Sequence, residues 1–230
     1  VGDTDSTQLA GLMGGSSPVI TDRPPPQEPG ATLLEVTELS ARDDRGIDAL
    51  HAANITVRAG EIVGVAGVAG NGQRELAEAI VGLRPATGGN IVIAGTDLTT
   101  ATPRQRFQAG LGYIPEDRLG VGLAPRLSVV DNAMLRVYSD YRRGPFLVTE
   151  QAADHCQRLI DRFSVRTGPL TDPVAGLSGG NLQRLLVGRE LDGPPRVVVA
   201  AQPTRGLDVQ GVKAIQDLLV AERNSGAGVL

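Results

Sequence analysis

The sequence is poor in cysteine and lysine, and these absences exclude several kinds of site. Cys156 is the single cysteine among 230 residues. A lone thiol forms neither an internal disulfide nor a cysteine-based metal site. We therefore expect Cys156 to be a small residue on a helix, and the protein to be in a reducing compartment. Lys213 is the single lysine. No lysine is therefore available to a phosphate-binding loop elsewhere in the chain.

The sequence also lacks a surplus of basic charge and any long apolar run. The formal net charge of −4 argues against a nucleic-acid-binding surface, which normally carries clustered arginine and lysine. No run of 18 uncharged apolar residues is present, so we expect no bilayer-spanning helix, and any association with a membrane must come through a partner. Residues 1–15 lack the basic start and apolar stretch of a signal peptide.

A glycine-rich turn follows an apolar segment in residues 61–74, which read EIVGVAGVAGNGQR. An apolar strand, a glycine turn and a helix over residues 73–81 are the elements of a P-loop. However, Gln73 stands where that motif has lysine, and Arg74 stands where it has Ser or Thr. Glu75 occupies the third glycine position of the Rossmann pattern, so we do not expect a dinucleotide site. The predicted nucleotide-binding residues are Gly67, Gly70, Asn71, Gly72, Gln73 and Arg74.

Residues 177–184 read LSGGNLQR and form the second informative segment. Ser178 is suited to cap a helix, and the two glycines after it lack the Cβ atoms that would keep a phosphate from the first-turn amides. A helix that begins here presents unpaired N–H groups and its positive dipole end to an anion. Taken alone, the segment is equally compatible with an ordinary serine-capped helix after a flexible turn.

A buried strand and a loop are predicted in residues 196–208, which read RVVVAAQPTRGLD. In phosphoryl-transfer ATPases such a strand ends in Asp, which holds Mg²⁺, followed by the residue that positions the attacking water. Ala201 and Gln202 occupy these two places. Neither side chain supplies the charge that this chemistry uses.

Residues 113–123, which read YIPEDRLGVGL, lie between the glycine turn and the segment 177–184. The order of these four segments resembles that of the nucleotide-binding domain of an ABC transporter. The resemblance covers about residues 32–230. GVAGNGQREL, YIPEDRLGVGL, LSGGNLQR and AQPTRGLDV are similar to the second ATP-binding domain of the tandem proteins that energise importers of simple sugars and nucleosides. AQ before PTRGLD is closer to the nucleoside branch, because the ribose and galactose branch has DEPTRG.

The resemblance implies a role for each segment. Glu116 stands at the Q-loop position, where the family usually has a glutamine that senses the γ-phosphate and the membrane partner. Asp208 matches the D-loop acid that approaches the facing domain. The signature, which covers ATP bound to the Walker motifs of the other domain, would consist of Leu177, Ser178, Gly179, Gly180, Asn181 and Gln183.

The altered positions Gln73, Arg74, Ala201 and Gln202 lead us to expect that this half binds nucleotide at best and does not hydrolyse it. We therefore predict no catalytic residue and no metal site in the chain, ATP as the cofactor, and Mg²⁺ only at the partner domain's site. Residues 40–50 contain no Phe, Tyr or Trp that would stack on adenine.

The implied partners are the upstream ATP-binding domain of the same polypeptide, two transmembrane permease subunits and, indirectly, an extracellular substrate-binding protein, with no nucleic acid. The implied location is the cytoplasmic face of the plasma membrane, where the domain is held peripherally by the permease. Residues 116–126, rich in glycine and arginine, are expected to approach the permease helices, although a solvated loop fits their composition equally well.

The domain prediction has two parts. Residues 1–31, rich in Gly, Ser, Thr and Pro, are interpreted as a linker and the tail of an upstream ATP-binding domain. Residues 32–230 are interpreted as the second ABC nucleotide-binding domain, incomplete at its C-terminus. Its fold class is α/β, with a P-loop NTPase-like core on a parallel sheet, a small antiparallel β layer and a helical subdomain. Strands are predicted at 32–39, 54–58, 91–94, 111–114 and 197–201, and helices at 73–81, 103–109, 128–137, 149–163, 178–191 and 209–223.

Two other functions are compatible with the sequence. A soluble ABC ATPase of DNA repair or translation shares the signature, but such proteins usually bring long coiled coils or basic extensions, which this sequence lacks. A nonenzymatic interaction module that has lost nucleotide altogether is the second alternative.

Overall fold

The computed structural model describes residues 25, 27–68, 70–143 and 146–230, so most of the predicted linker lies outside the described residues. The described chain folds as an α/β protein. Its strands are β1 (Thr32–Arg42), β2 (Asp48–Arg58), β3 (Ala86–Ile93), β4 (Thr96–Asp97), β5 (Leu111–Ile114), β6 (Arg142–Arg143), β7 (Phe146–Leu147), β8 (Val197–Ala200) and β9 (Gly228–Val229). Its α-helices are α1 (Gln73–Val81), α2 (Pro103–Gln108), α3 (Val129–Met134), α4 (Thr149–Phe163), α5 (Gly179–Leu191) and α6 (Val209–Asn224).

The first layer is an antiparallel sheet with the order β2-β1-β3-β4. Leu34 and Val36 of β1 are buried before the pairing register shifts, and Leu39 and Ala41 are buried after it. Glu38 lies at this irregularity with φ 49°, so a β-bulge changes which side chains face the core. The bulge lets β1 run to 11 residues, beyond the end of the predicted strand at residue 39.

The second layer is a parallel sheet with the order β5-β8-β9. β5 and nearly all of β8 are buried, as expected for strands covered on both faces. The predicted apolar strand before the glycine turn is wrong beyond its start. Ile62 forms an isolated parallel bridge with Val229, and Val63 donates its N–H to the Val229 carbonyl at 2.8 Å. Residues 64–68 are not assigned to a strand, and Val68 is 73% exposed.

A helical region connects β5 to β8. α4 and α5 pack against each other, and α3 packs against both. α3 is shorter than predicted, ending at Met134, after which the chain turns so that Arg136 reaches Glu190 at 2.5 Å. One core cluster fills this region and includes fully buried Cys156, and a second cluster lies between the antiparallel layer and α1. Within the described ranges, no helix has the length and apolarity needed to cross a membrane.

Candidate functional site

A cleft of about 1610 Å³ lies where β5 and β8 end and the glycine turn begins. It brings together three segments that the sequence identified separately: the glycine turn with the start of α1, residues 115–119 after β5, and residues 200–203 at the end of β8. Ligands of open α/β sheets bind outside the carboxyl ends of the strands, so this cleft has the expected position for a nucleotide phosphate.

The glycine turn depends on two left-handed residues. Gly70 has φ 90° and Gly72 has φ 89°, values that L side chains rarely adopt. Gly72 is also the N-cap of α1, and a Cβ added there would lie 2.5 Å from the Ala49 carbonyl oxygen of β2. Glycine at position 72 therefore permits both the turn and the close approach of β2.

Gln73 occupies the lysine position of a P-loop, and its side chain folds back across the turn. Its Nε2 atom donates a hydrogen bond to the Val68 carbonyl at 3.1 Å. Gly67 makes room for this amide, because a Cβ at that position would overlap Nε2. The loop mouth thus holds a neutral amide where the motif has a cation.

Arg74 occupies the Ser or Thr position, but two carboxylates hold its guanidinium. Its Nε donates to Glu78 at 2.7 Å, one turn later in α1, and its Nη1 lies 3.2 Å from Asp44 in the turn between β1 and β2. Arg84 binds the same two acids at 2.6 Å each. Hydrogen bonding by Arg84 and the charge of Arg74 lower the pKa of Asp44, and the hydrogen bond from Arg74 to Glu78 raises the pKa of Arg74. Sequence reasoning missed this network, which joins α1 to the antiparallel layer.

Glu116, at the Q-loop position, meets two residues that follow β8. Its carboxylate forms an ion pair with Arg205 and lies 3.4 Å from the Gln202 amide nitrogen. Gln202 has φ 46°, which turns the chain sharply after β8. The sequence identified Glu116 and Gln202 but not Arg205. The signal that would have found it is a cation in the loop after β8, next to the predicted phosphate position.

The positions that hold Mg²⁺ in an intact ATP site do not fit the ion in this cleft. Arg74 and Ala201 carry no oxygen ligand, and the Gln202 side chain is directed toward Glu116 through its amide nitrogen. Within the part of the chain that the structure describes, no group of three His, Cys, Asp or Glu side chains is placed to hold a metal.

The signature segment begins α5, as predicted, but Ser178 does not cap the helix with its side chain. Instead, the Ser178 hydroxyl accepts a hydrogen bond from Asn181 Nδ2 at 3.0 Å. The Asn181 Oδ1 atom accepts the Arg166 backbone N–H at 2.9 Å. Gly179 is exposed, and a side chain at Gly180 would meet open space. The glycines of the segment are therefore accessible.

Gln183 and Asp208 have contacts of their own. Gln183 is buried and accepts a hydrogen bond from Arg118 Nε at 2.6 Å, which ties α5 to the turn after β5. Asp208 caps α6, because its Oδ1 accepts the Gly211 N–H at 2.7 Å. Asp208 and residues 177–181 do not line the cleft. The nucleotide-binding and signature sets thus lie in different parts of the described chain.

Comparison with known proteins matches most of this chain to one family. Residues 50–205 match the family model described as ABC transporter. The chain is 41% identical to the glucose import ATP-binding protein TsgD13 of Haloferax volcanii, a match that covers 99% of the chain and 42% of that protein. It is 38% identical to the guanosine import ATP-binding protein NupO of Bacillus subtilis, over 100% of the chain and 46% of that protein. The chain thus spans less than half the length of these relatives.

Solved structures give the same fold. The chain superimposes on the ATP-binding cassette MJ0796, determined as a dimer in a post-hydrolysis state with ADP and Pi, with a TM-score of 0.71 and 22% identity over 86% of each chain. An ATP-binding subunit of an ABC transporter gives a TM-score of 0.65 at 25% identity, over 86% of this chain and 78% of that one. These matches confirm the predicted α/β fold.

Proposed function

This chain belongs to the ABC transporter family of ATP-binding domains, and from that premise we propose that it is an energy-coupling domain of an importer for nucleosides or simple sugars. The names of the relatives, which include guanosine and glucose import proteins, support this substrate class. Its own nucleotide site does not hydrolyse ATP, and its signature completes the ATP site of a second domain.

The observation that carries this proposal is the contrast between the cleft and the signature. The cleft has Arg74 and Ala201 at the two positions where an intact ATP site has its Mg²⁺ ligands. The signature glycines, by comparison, begin α5 in an accessible position. A domain with these two properties serves a partner's ATP and does not turn over its own. ATP is accordingly the cofactor of the assembly, with Mg²⁺ at the partner domain's site alone.

The partner in this proposal is an upstream ATP-binding domain of the same polypeptide, with residues 1–31 as linker and tail and residues 32–230 as the second domain. The lengths of the relatives are consistent with a tandem, since a match to the whole chain covers 42% and 46% of them. Ser178, Gly179, Gly180 and Asn181 would face the phosphates held by that domain, with Asp208 at the same interface. Asp208 retains Oδ2 for such a contact while Oδ1 caps α6.

The further partners are two transmembrane permease subunits and, through them, an extracellular substrate-binding protein. The domain is held peripherally at the cytoplasmic face of the plasma membrane by the permease. Residues 116–126 supply a contact for it, since Asp117, Gly120 and Val121 are exposed around the π-helical turn Arg118–Gly122.

The first test is an ATPase assay of the 230-residue chain alone, in which we expect no Mg²⁺-dependent phosphate release above background. The second uses the proposed two-domain polypeptide and the variant Gly180→Asp, which places a carboxylate in open space at the signature. We expect this variant to lose ATPase activity at least tenfold, because the added charge repels the partner-bound γ-phosphate.

Gly193→Asp is the matched control, because Gly193 follows the other end of α5 and also has open space around it. It should leave the ATPase rate within about twofold. Ordinary turnover by the isolated chain, or equal rates for the two variants, would contradict the proposal.

A further inference from the structure

Among the residues that the structure describes, three arginines line the cleft, and they differ in their contacts. Arg74 is held by Glu78 and Asp44. Arg118 donates to Gln183 at 2.6 Å and to the backbone carbonyl of Arg205. Arg205 is different, because the acid that holds it, Glu116, is 33% exposed, whereas Glu78, which holds Arg74, is only 10% exposed. Its guanidinium can therefore change partner without breaking a buried network.

Glu116 gives Arg205 a partner with the chemistry of a phosphate. A guanidinium binds a carboxylate and a phosphate through the same array of N–H donors. The Glu116 carboxylate is approached by both Arg205 and the Gln202 amide, so one acid gathers two donors at the edge of the cleft. A phosphate group bound in this cleft would compete with the Glu116 carboxylate for Arg205, since both residues line it.

The backbone of Arg205 is anchored independently of its side chain. Arg118 holds the Arg205 carbonyl, and Arg205 donates its own N–H to the Gln202 carbonyl at 3.1 Å. The side chain is thus attached to a fixed turn, within the cleft that also contains Gly67 and Gln73. A change of partner requires side-chain rotation alone.

We propose that Arg205 is the phosphate-binding cation of this cleft and that Glu116 holds it when nucleotide is absent, so that ATP binds here without Mg²⁺. This inference rests on the proposed function, in which the cleft accepts nucleotide without hydrolysing it. Because the Mg²⁺-binding positions are altered, we expect Mg²⁺ not to strengthen the binding of ATP to this cleft. Mg²⁺ neutralises part of the triphosphate charge, so free ATP attracts Arg205 more strongly than Mg·ATP does.

The test is equilibrium binding of the ribose-labelled fluorophore trinitrophenyl-ATP to the 230-residue chain, in EDTA and in Mg²⁺ at the same ionic strength. We expect the affinity in EDTA to equal or exceed that in Mg²⁺. Arg205→Gln should weaken binding roughly tenfold, because one charge-assisted contact is lost. Glu116→Gln should tighten binding several-fold, because it removes both the competitor for Arg205 and a negative charge beside the triphosphate.

Arg158→Gln is the matched control, because Arg158 is exposed and does not line the cleft. It should leave the affinity within about twofold. Thermal melting of each variant checks that the fold is retained. Undetectable binding, tenfold tighter binding in Mg²⁺, or an equal loss in Arg158→Gln and Arg205→Gln would overturn the inference.

Phosphate release measured in the same samples separates the two proposals. If Mg²⁺ tightens binding tenfold and no phosphate is released, the proposed role of Arg205 is overturned. The proposal that this domain does not hydrolyse ATP is then unaffected. Mg²⁺-dependent phosphate release by the wild-type chain contradicts the proposed function, whatever the affinities are.

Discussion

Glu190 and Tyr113 are joined across the interior, since the Glu190 carboxylate accepts the Tyr113 backbone N–H at 3.0 Å. Arg136 and Arg189 also bind this carboxylate, at 2.5 and 2.9 Å, and Glu190 is 3% exposed. One buried acid therefore links the signature helix α5 to β5, the strand that leads to the Q-loop position.

Glu190→Gln should lower the free energy of unfolding by about 3 kcal/mol, because it leaves Arg136 and Arg189 without the charge that balances them. Urea unfolding at pH 7 measures the change. Glu35→Gln removes an exposed carboxylate from β1 and should stay within about 0.5 kcal/mol. Equal losses in the two variants would show that the buried network adds nothing to stability.

Gly72→Ala should be more damaging than Gly70→Ala. Both positions have φ near 90°, so each alanine adds about 1–2 kcal/mol of backbone strain. At Gly72 the new methyl group would also overlap the Ala49 carbonyl, whereas a Cβ at Gly70 meets nothing within 4 Å. We expect Gly72→Ala to cost at least about 1 kcal/mol more in urea unfolding. A larger loss in Gly70→Ala would contradict the packing of β2 against the turn.

Cys156 should make stability depend on alkaline pH. Burial raises the pKa of its thiol to about 11 from a reference of 9.0, so folding favours the protonated form. This stabilisation is complete below pH 9 and is lost as pH rises toward 11. Cys156→Ala should therefore flatten the decline of the urea midpoint between these pH values.

Near neutral pH the same variant should be less stable than the wild type by about 1 kcal/mol, from the cavity that alanine leaves. Burial raises the pKa of Tyr113 to about 12, so that phenol affects both proteins alike at still higher pH. Parallel pH profiles for wild type and Cys156→Ala would exclude the thiol as the cause.

Local sequence signals predicted helices better than strands. The bounds of α1 and α4 agree with the predictions of 73–81 and 149–163, because the periodicity of the apolar residues is local. Strand ends depend on distant partners. The apolar residues 64–68 were predicted as a strand but are not part of one, and β1 is extended past residue 39 by a bulge.

The candidate site shows the same division. Motif order identified Gln73, Arg74, Ala201, Gln202 and Glu116 as the altered positions. The residues that contact these positions lie elsewhere in the chain, so no local sequence pattern could have predicted the contacts. Asp44 lies 30 residues before Arg74, and Arg205 lies 89 residues after Glu116. These two ion pairs nevertheless position the Arg74 guanidinium and the Glu116 carboxylate.

The two helix caps near the proposed interface should differ in energy. Asp208→Ala should cost about 1 kcal/mol, because Asp208 accepts the Gly211 N–H in the first turn of α6. Ser178→Ala should cost less than about 0.5 kcal/mol, because the Ser178 hydroxyl makes no cap bond to α5. Asp208→Asn keeps the acceptor and is the control. Equal costs for the two alanines in urea unfolding would restore the capping role that the sequence predicted for Ser178.

Gln73→Lys should strengthen nucleotide binding without creating an ATPase. The lysine ammonium would replace the amide that folds over Gly67 and donates to Val68, and would add a positive charge at the loop mouth. A several-fold rise in affinity for trinitrophenyl-ATP follows from one added charge in a partly exposed cleft. Ala201 and Gln202 still supply neither a metal-binding carboxylate nor a charge to position water, so phosphate release should stay at background. Hydrolysis by this single variant would mean that the lysine position alone had silenced the site.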